Sequence, residues 1–335
     1  MSQNTRPDAG KRMRLRENFI KYFSFSTIVI LVVGFTLMRK EFLGEANLKT
    51  LLSDSAPLII MAAGMTLVLL LGSIDLSMGS VCSVANVLTV LILNELGPRL
   101  GQPALGAVAA LLAVMVFGAG AGLLLGFVHV KLKVPSFIAS LGFMSLWQSV
   151  AYLITPAPVS VAKVMWGGVN WFKVTFGVFG LPLVLGLAWV AALYVFQART
   201  SFGRAVFAIG GNERASRVAG MPVDRTKIIV FALTGVCAAV GGYFLAAKLR
   251  SSAPTVGASF TLLIVASVAL GGTALSGGRG SVLGTVLGVF TVSIIRNGMN
   301  FIGVDAYWQD IVFGFFVLVA VAISVDRSTP GLVIK

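Results

Sequence analysis

Most of this chain consists of apolar stretches about as long as a bilayer is thick, separated by short polar breaks. A hydrocarbon core of ~30 Å takes about 20 helical residues to cross. Ten runs come near that length: 19–38, 56–72, 78–96, 104–130, 135–155, 176–197, 228–249, 260–272, 282–299 and 308–325. The eighth is short and reads as a partial span. Only 11% of the residues are charged and 57% are hydrophobic, against about 25% charged in a soluble domain. The sequence predicts an all-α polytopic membrane protein with about ten transmembrane helices. Residues 1–18 are expected to form a basic cytoplasmic tail. Residues 19–335 are expected to form the transmembrane domain, with a polar cytoplasmic loop at 199–227.

The formal net charge is +14, which raises nucleic acid as a partner. The placement of the charges argues against it. Lys and Arg sit in the tail and in breaks between apolar runs, not among aromatic residues on a soluble segment. With the N-terminus inside and strict alternation, seventeen of the 26 basic residues fall on the inner side, as the positive-inside rule requires. Both termini are then cytoplasmic. The basic N-terminus lacks a cleavage site behind a short apolar core, so it reads as a tail and not a signal peptide. Cys82 and Cys237 lie inside apolar runs and read as small buried hydrophobes. His129 is the one histidine. No triad, zinc site or carboxylate pair can be assembled from this inventory, so the chain is not expected to be an enzyme.

The polar interval RTSFGRAVFAIGGNERASRVAGMPVDRTK carries six basic residues against Glu213 and Asp224. Within it, 212–220 reads as a short helix. Asn212 is a suitable N-cap and Glu213 complements the N-terminal dipole. Gly220 is a natural stop and Pro222 follows it. The helix is expected to lie on the inner membrane face and dock into another protein; the plainer alternative is an ordinary basic inner loop. In the outer loop 156–175, Trp166, Trp171 and Phe172 beside Lys163 and Lys173 suggest a segment at the outer headgroups, either an aromatic belt or a lid.

LLLGSIDLSMGSVCSV at 69–84 and SVALGGTALSGGRGSVLGTV at 267–286 echo each other, as internal repeats of transporters do. GGTALSGGRG lacks the Lys and the preceding strand of a phosphate-binding loop. The chain is therefore expected to bind no nucleotide and no other cofactor. Its glycines, including Gly277, Gly278 and Gly280, fit tight turns and close packing. Asp75 is the acid nearest the apolar interior. It allows ion coupling, substrate contact or a cap on the helix starting near Leu76, and the cap is the favoured reading, with Ser77 in the same structural turn. Asn86, Gln148 and Asn297 carry amides that need several partners. With Trp147 beside Gln148 they suit either a polyhydroxylated ligand or bonds between helices.

Four stretches, at 56–80, 134–155, 202–227 and 269–288, resemble the permease subunits of bacterial ABC importers for simple sugars, the ribose, arabinose, xylose and galactose group. The resemblance implies a type II ABC importer-like fold in the bacterial cytoplasmic membrane. It implies a second permease subunit forming a homodimer, a cytoplasmic ATPase that uses ATP and Mg, and a periplasmic or lipid-anchored sugar-binding protein. It also implies that 212–220 is the coupling helix, with Asn212, Glu213, Arg214, Ala215, Arg217 and Gly220 as its contact candidates. Glu213, Ala215 and Gly220 echo the EAA-type loop of other importers, though their spacing differs. Gly118, Gly120, Gly122 and Gly126 would let helices pack closely. The main alternative is an ion-coupled secondary transporter of a small polar solute, for which Asp75 is the candidate; another is a scaffold or receptor that conducts nothing. Pentose, hexose, polyol and furanosyl signal molecule all stay open as substrates.

Overall fold

The computed structural model describes residues 25–324. The expected tail at 1–18 lies outside them. The described part is mostly helical. In chain order the helices are α1 (Phe25–Met38), α2 (Glu45–Leu70), α3 (Met78–Arg99), α4 (Pro103–Lys131), α5 (Ser136–Ile154), α6 (Leu181–Arg199), α7 (Ser201–Gly211), α8 (Glu213–Val218), α9 (Val223–Leu249), α10 (Phe260–Leu270), α11 (Val282–Phe301) and α12 (Ala306–Ser324). Seven of these are long and apolar enough to cross a membrane: α2, α3, α4, α5, α6, α9 and α11. α10 has 11 residues, so at 1.5 Å per residue it reaches about 16 Å, roughly half the hydrocarbon core.

Two helices form the centre. The apolar window of α2 is 89% buried inside the chain and that of α9 is 72% buried, against 17% for α5. α2 is apolar on every side from Ala56 to Leu70, which suits a helix enclosed by other helices. Backbone proximity holds α4 to α9. A Cβ on Gly118 would meet the carbonyl oxygen of Gly235, and one on Gly122 would meet that of Phe231. On Gly126 it would lie 3.0 Å from the Ile228 Cα. Gly120 faces open space and takes no part. Without large side chains between them, the two helices gain dispersion along their backbones, which is how helices associate in lipid.

The connections gather at two ends. At one, β1 (Val159–Ser160) pairs antiparallel with β4 (Ser251–Ser252), and β2 (Thr175–Phe176) pairs with β3 (Phe179–Gly180). We call this the cap end. The aromatic segment there packs on its own chain. Trp171 stacks on Tyr243 of α9 at 5.9 Å and meets Phe244 edge-on at 4.9 Å, and Phe172 is buried. Trp166 lies under the Arg250 guanidinium, 4.6 Å from its ring centroid. Arg250 itself ends α9 in a left-handed conformation with φ 50° and donates to Asn170 at 2.7 Å. The segment is fastened to α9, so its rings serve packing within the chain.

At the opposite end lie the α2–α3 turn, α7, α8 and the α10–α11 loop. We call this the junction end.

The glycine contact is testable. Gly122→Ala should cost about 1–3 kcal/mol by overpacking, seen as a melting temperature several degrees lower in detergent. Gly120→Ala should leave it unchanged or raise it, since Ala is a better helix former by roughly 1 kcal/mol. Equal shifts in the two variants would contradict the close approach.

Candidate functional site

The polar interval 199–227 folds as two helices, not one. α7 opens with Thr200, whose hydroxyl accepts from the Gly203 amide at 3.1 Å. It buries Gly203, Val206 and Ile209 at helical spacing. The sequence reading treated this stretch as polar loop; the signal it passed over is that three-residue stripe. α8 opens with Asn212, whose side chain accepts from the Ala215 amide at 3.0 Å. It closes at Gly220, which has φ +77°. There the Met221 amide reaches back to the Ser216 carbonyl at 3.0 Å, the closure that positive-φ glycine allows.

Ion pairs hold α8 on α9. Lys227 pairs with Glu213 at 2.8 Å, Arg217 with Glu213 at 3.2 Å, and Arg217 with Asp224 at 2.9 Å. Burial pushes the Glu213 carboxyl up, but Lys227 and then Arg217 outweigh it and hold the group below the ordinary carboxylate range. Asp224 in turn holds the Arg217 guanidinium above its ordinary value, with Glu213 adding to it. Glu213 is therefore turned onto its own chain, while Arg217 pairs with it and with Asp224 from the exposed surface. Arg214, Ala215 and Ala219 are exposed, and Val218 is 90% exposed. Val218 is the apolar projection of this surface, and the sequence reading did not single it out.

The inner end of α7 meets two turns. The α2–α3 turn and the α10–α11 loop begin with the same geometry. The Gly72 amide bonds Leu69 and the Ser73 amide bonds Val68; likewise the Gly272 amide bonds Ala269 and the Thr273 amide bonds Val268. Gly72 has φ +73° and Gly272 φ +82°. The echo in sequence is thus an echo in backbone. The loop then turns back through Gly277, Gly278 and Gly280, all at positive φ. The Gly278 amide donates to the Leu70 carbonyl at 2.8 Å. A Cβ on Gly277 would stand 2.9 Å from the Gly210 carbonyl oxygen, and one on Gly72 would stand 3.2 Å from that of Ser276. Three backbones meet here with no room for a side chain. The Ser136 hydroxyl accepts from Ile74 at 3.2 Å, and the Gln197 side-chain oxygen accepts from Val282 at 3.2 Å. Those bonds add α5 and α6 to the junction.

Asp75 is buried in the α2–α3 turn. Its carboxylate accepts from the Ser77 amide at 2.8 Å and the Ser77 hydroxyl at 2.6 Å. It closes the turn leading into α3, which begins at Met78, two residues later than expected from sequence. Burial raises the carboxyl to about 6, against those two hydrogen bonds.

The amides among the expected ligand-facing residues bond within the chain. Asn86 is fully buried, donates to the Gly242 carbonyl at 3.4 Å and accepts from Ala253 at 3.0 Å. Gln148 donates to the Pro254 carbonyl at 2.7 Å. Both tie helices to the segment that precedes α10. Trp147 packs against Phe117 and Phe143. Asn297 exchanges two 3.0 Å hydrogen bonds with Asn47 near the cap end. Among the described residues no group of His, Cys, Asp and Glu could hold a metal ion.

Bilayer-length helices around two enclosed ones, with a compact polar end built on glycine turns, define a multi-pass helical membrane protein. The chain belongs to a family of transport-system permease components: residues 47–321 match the family described as branched-chain amino acid transport system / permease component. It is 34% identical over 329 residues to the ribose import permease protein RbsC of Escherichia coli (strain K12), covering 95% of this chain and 98% of that one. It is 32% identical over 320 residues to RbsC of Bacillus subtilis (strain 168), covering 95% and 97%. With the L-arabinose transport system permease protein AraH of Escherichia coli (strain K12) it shares 33% identity over 316 residues, covering 90% and 89%. No solved structure matches it. These relatives place the chain in the bacterial cytoplasmic membrane.

The α8 clamp has a pH signature. A depressed carboxyl stabilises its fold above its ordinary value of 4.5 and loses that contribution as pH falls through the depressed one. Amide exchange across 213–218 should therefore show no change in protection between about pH 5 and pH 8 once intrinsic rates are removed. Lys227→Met should raise exchange there about two- to fivefold at neutral pH, as expected of a partly exposed pair worth ~0.5–1 kcal/mol. Unaltered exchange would show that the pairs do not hold α8.

Proposed function

We propose that the chain is the membrane-spanning subunit of an ATP-driven, binding-protein-dependent importer of a monosaccharide or related polyol. The observation that carries this is the junction end. A short helix offers Arg214 and Val218 to a partner while ion pairs fix it to α9, and its neighbour α7 abuts both repeat turns. The relatives named for ribose import and L-arabinose transport support the substrate class. In this proposal the chain binds no nucleotide or metal itself. A cytoplasmic ATPase uses ATP and Mg and pushes on α8, and a sugar-binding protein delivers cargo to the cap end.

The junction end is then cytoplasmic. α1, α2, α3, α4, α5, α6, α9, α10, α11 and α12 supply ten passes, and both termini are inside. Lys131, Arg214, Arg217 and Lys227 lie at that end, which fits the positive-inside rule. The permease works as a pair of identical chains. α5 supports this: it is the least enclosed long helix, and it leaves Gly142, Ser145 and Ser149 exposed on one face, where small and hydroxyl residues favour another helix over lipid.

In the complete transporter, Val218→Asp should lower sugar uptake at least tenfold, since losing a desolvated apolar anchor costs about 2 kcal/mol or more. Glu213→Ala with Arg217→Ala should lower it too, by loosening α8. Both proteins should reach the membrane in normal amounts. Wild-type uptake in either variant, or accumulation of sugar by the purified chain alone in a proton gradient, would overturn the proposal.

A further inference from the structure

A cleft of about 430 Å³ lies between α2, α9, α10 and α11 toward the cap end. We infer that it holds the phosphodiester headgroup of an anionic membrane lipid. The transport reading does not require such a site.

α11 lines the cleft with Ser293, Arg296 and Asn300, whose spacing puts them on one helical face. The Arg296 guanidinium has no ion-pair partner among the described residues. The Ser293 hydroxyl and the Asn300 amide nitrogen have no hydrogen-bond partner among them either. Asn300 uses only its oxygen, which accepts from Gln309 at 2.7 Å. Arg296 lies over the Phe260 ring, 5.5 Å from its centroid. Contact with a ring face orients a guanidinium and leaves its N–H edge free to bond. Three unused donors on one face call for a group rich in acceptors, and a phosphate oxyanion is the strongest such group for a guanidinium.

The lining is net positive. Lys248 takes up Asp54 at 2.8 Å, which leaves Arg296 as the surplus charge. Asp310 of α12 also acts on Arg296 from outside the lining, but it is exposed, where salt screens its field. The polarity of the lining runs along the helices. Asp54 precedes Leu58 on α2, Lys248 follows Leu245 on α9 and Arg296 follows Val292 on α11. On each helix the charge therefore stands about one turn nearer the cap end than an apolar residue. Leu51 and Leu249 flank the charges further out. Leu249, Thr255 and Asn300 are exposed, so the cleft reaches the surface there. A free anion has no use for an apolar floor. A lipid does, because its phosphate sits at the bilayer edge and its chains run toward the middle, and basic pockets between membrane helices take such headgroups. Under the orientation proposed above, the lipid belongs to the outer leaflet.

The full chain, purified in a nonionic detergent, can be titrated with dioctanoyl phosphatidylglycerol or dioctanoyl phosphatidylcholine, and the lipid held per chain counted by native mass spectrometry. The tightest-held lipid should be phosphatidylglycerol. Arg296→Gln should need at least about tenfold more of it for the same occupancy, as expected for loss of a charged donor. Asn300→Asp should shift the titration the same way. It keeps the oxygen that accepts from Gln309 and puts a negative charge at the mouth. At an exposed position, it also keeps the test open if Arg296→Gln does not fold. Arg99→Gln removes one charge from the exposed cap-end terminus of α3 and should leave the titration unchanged. Equal retention of the two lipids, wild-type titrations in both cleft variants, or an equal shift in Arg99→Gln overturns the site. Displacement of the lipid by glycerol 3-phosphate at comparable concentration makes a free anion the ligand and overturns the lipid. The titration needs no transport, so failure here leaves the importer reading standing, and wild-type uptake in the α8 variants would leave this site standing.

Discussion

Gly72, Gly210, Gly277 and Gly278 bring three stretches of backbone into contact where no Cβ would fit. Contacts between side chains can be absorbed by a change of rotamer. A contact between backbones cannot, because displacing one chain by even an ångström drives it into the next. The Gly278 amide bonded to the Leu70 carbonyl links the two turns further. A displacement of α7 therefore reaches α2 and the α10–α11 loop together. Rigid elements that repack between discrete arrangements are how small motions at one site become large ones at another.

The two turns belong to very different helices. α2 is enclosed over nearly its whole length, so its end offers a fixed reference. α10 is short, and its far end hangs from the segment 253–259. That segment is held by Asn86 through Ala253, by Gln148 through Pro254 and by Ser83 through Gly257. A half-length helix therefore joins the junction at one end to a hydrogen-bonded loop at the other. Its irregular flanks are tolerable in a membrane because protein covers them and supplies their hydrogen bonds.

The bilayer-length helices were legible because lipid imposes a length and a polarity, and both can be read from single residues. The caps of α7 and α8 rest on local chemistry at Thr200 and Asn212, and the cap of α8 was readable for that reason. α7 was harder to see, since its apolar stripe of Gly203, Val206 and Ile209 includes a glycine and is broken by Arg204. The repeat was visible as a Leu-Ser and Gly pattern, but its meaning lies in hydrogen bonds from Ser73 and Thr273 that no composition reveals. For the amides the sequence left a ligand and bonds between helices both open. Asn86, Gln148 and Asn297 look alike in sequence, yet their partners lie 167, 106 and 250 residues away.

Glu213 and Arg217 spend their charges on α9, and this is what steadies α8. Were they unpaired, the helix would be held only by the Asn212 cap and the last bonds to Met221. Six residues make too short a helix to be stable alone. A load applied to Val218 would then unwind α8 before it moved α7. Lys227 belongs to α9 itself, and its ammonium is mostly buried where it meets Glu213. Force on the exposed face is therefore carried into a helix that runs the depth of the bundle, and through the short Gly211–Asn212 link into α7. The pairs hold the helix in place, and Arg214 and Val218 stay exposed on its outer face.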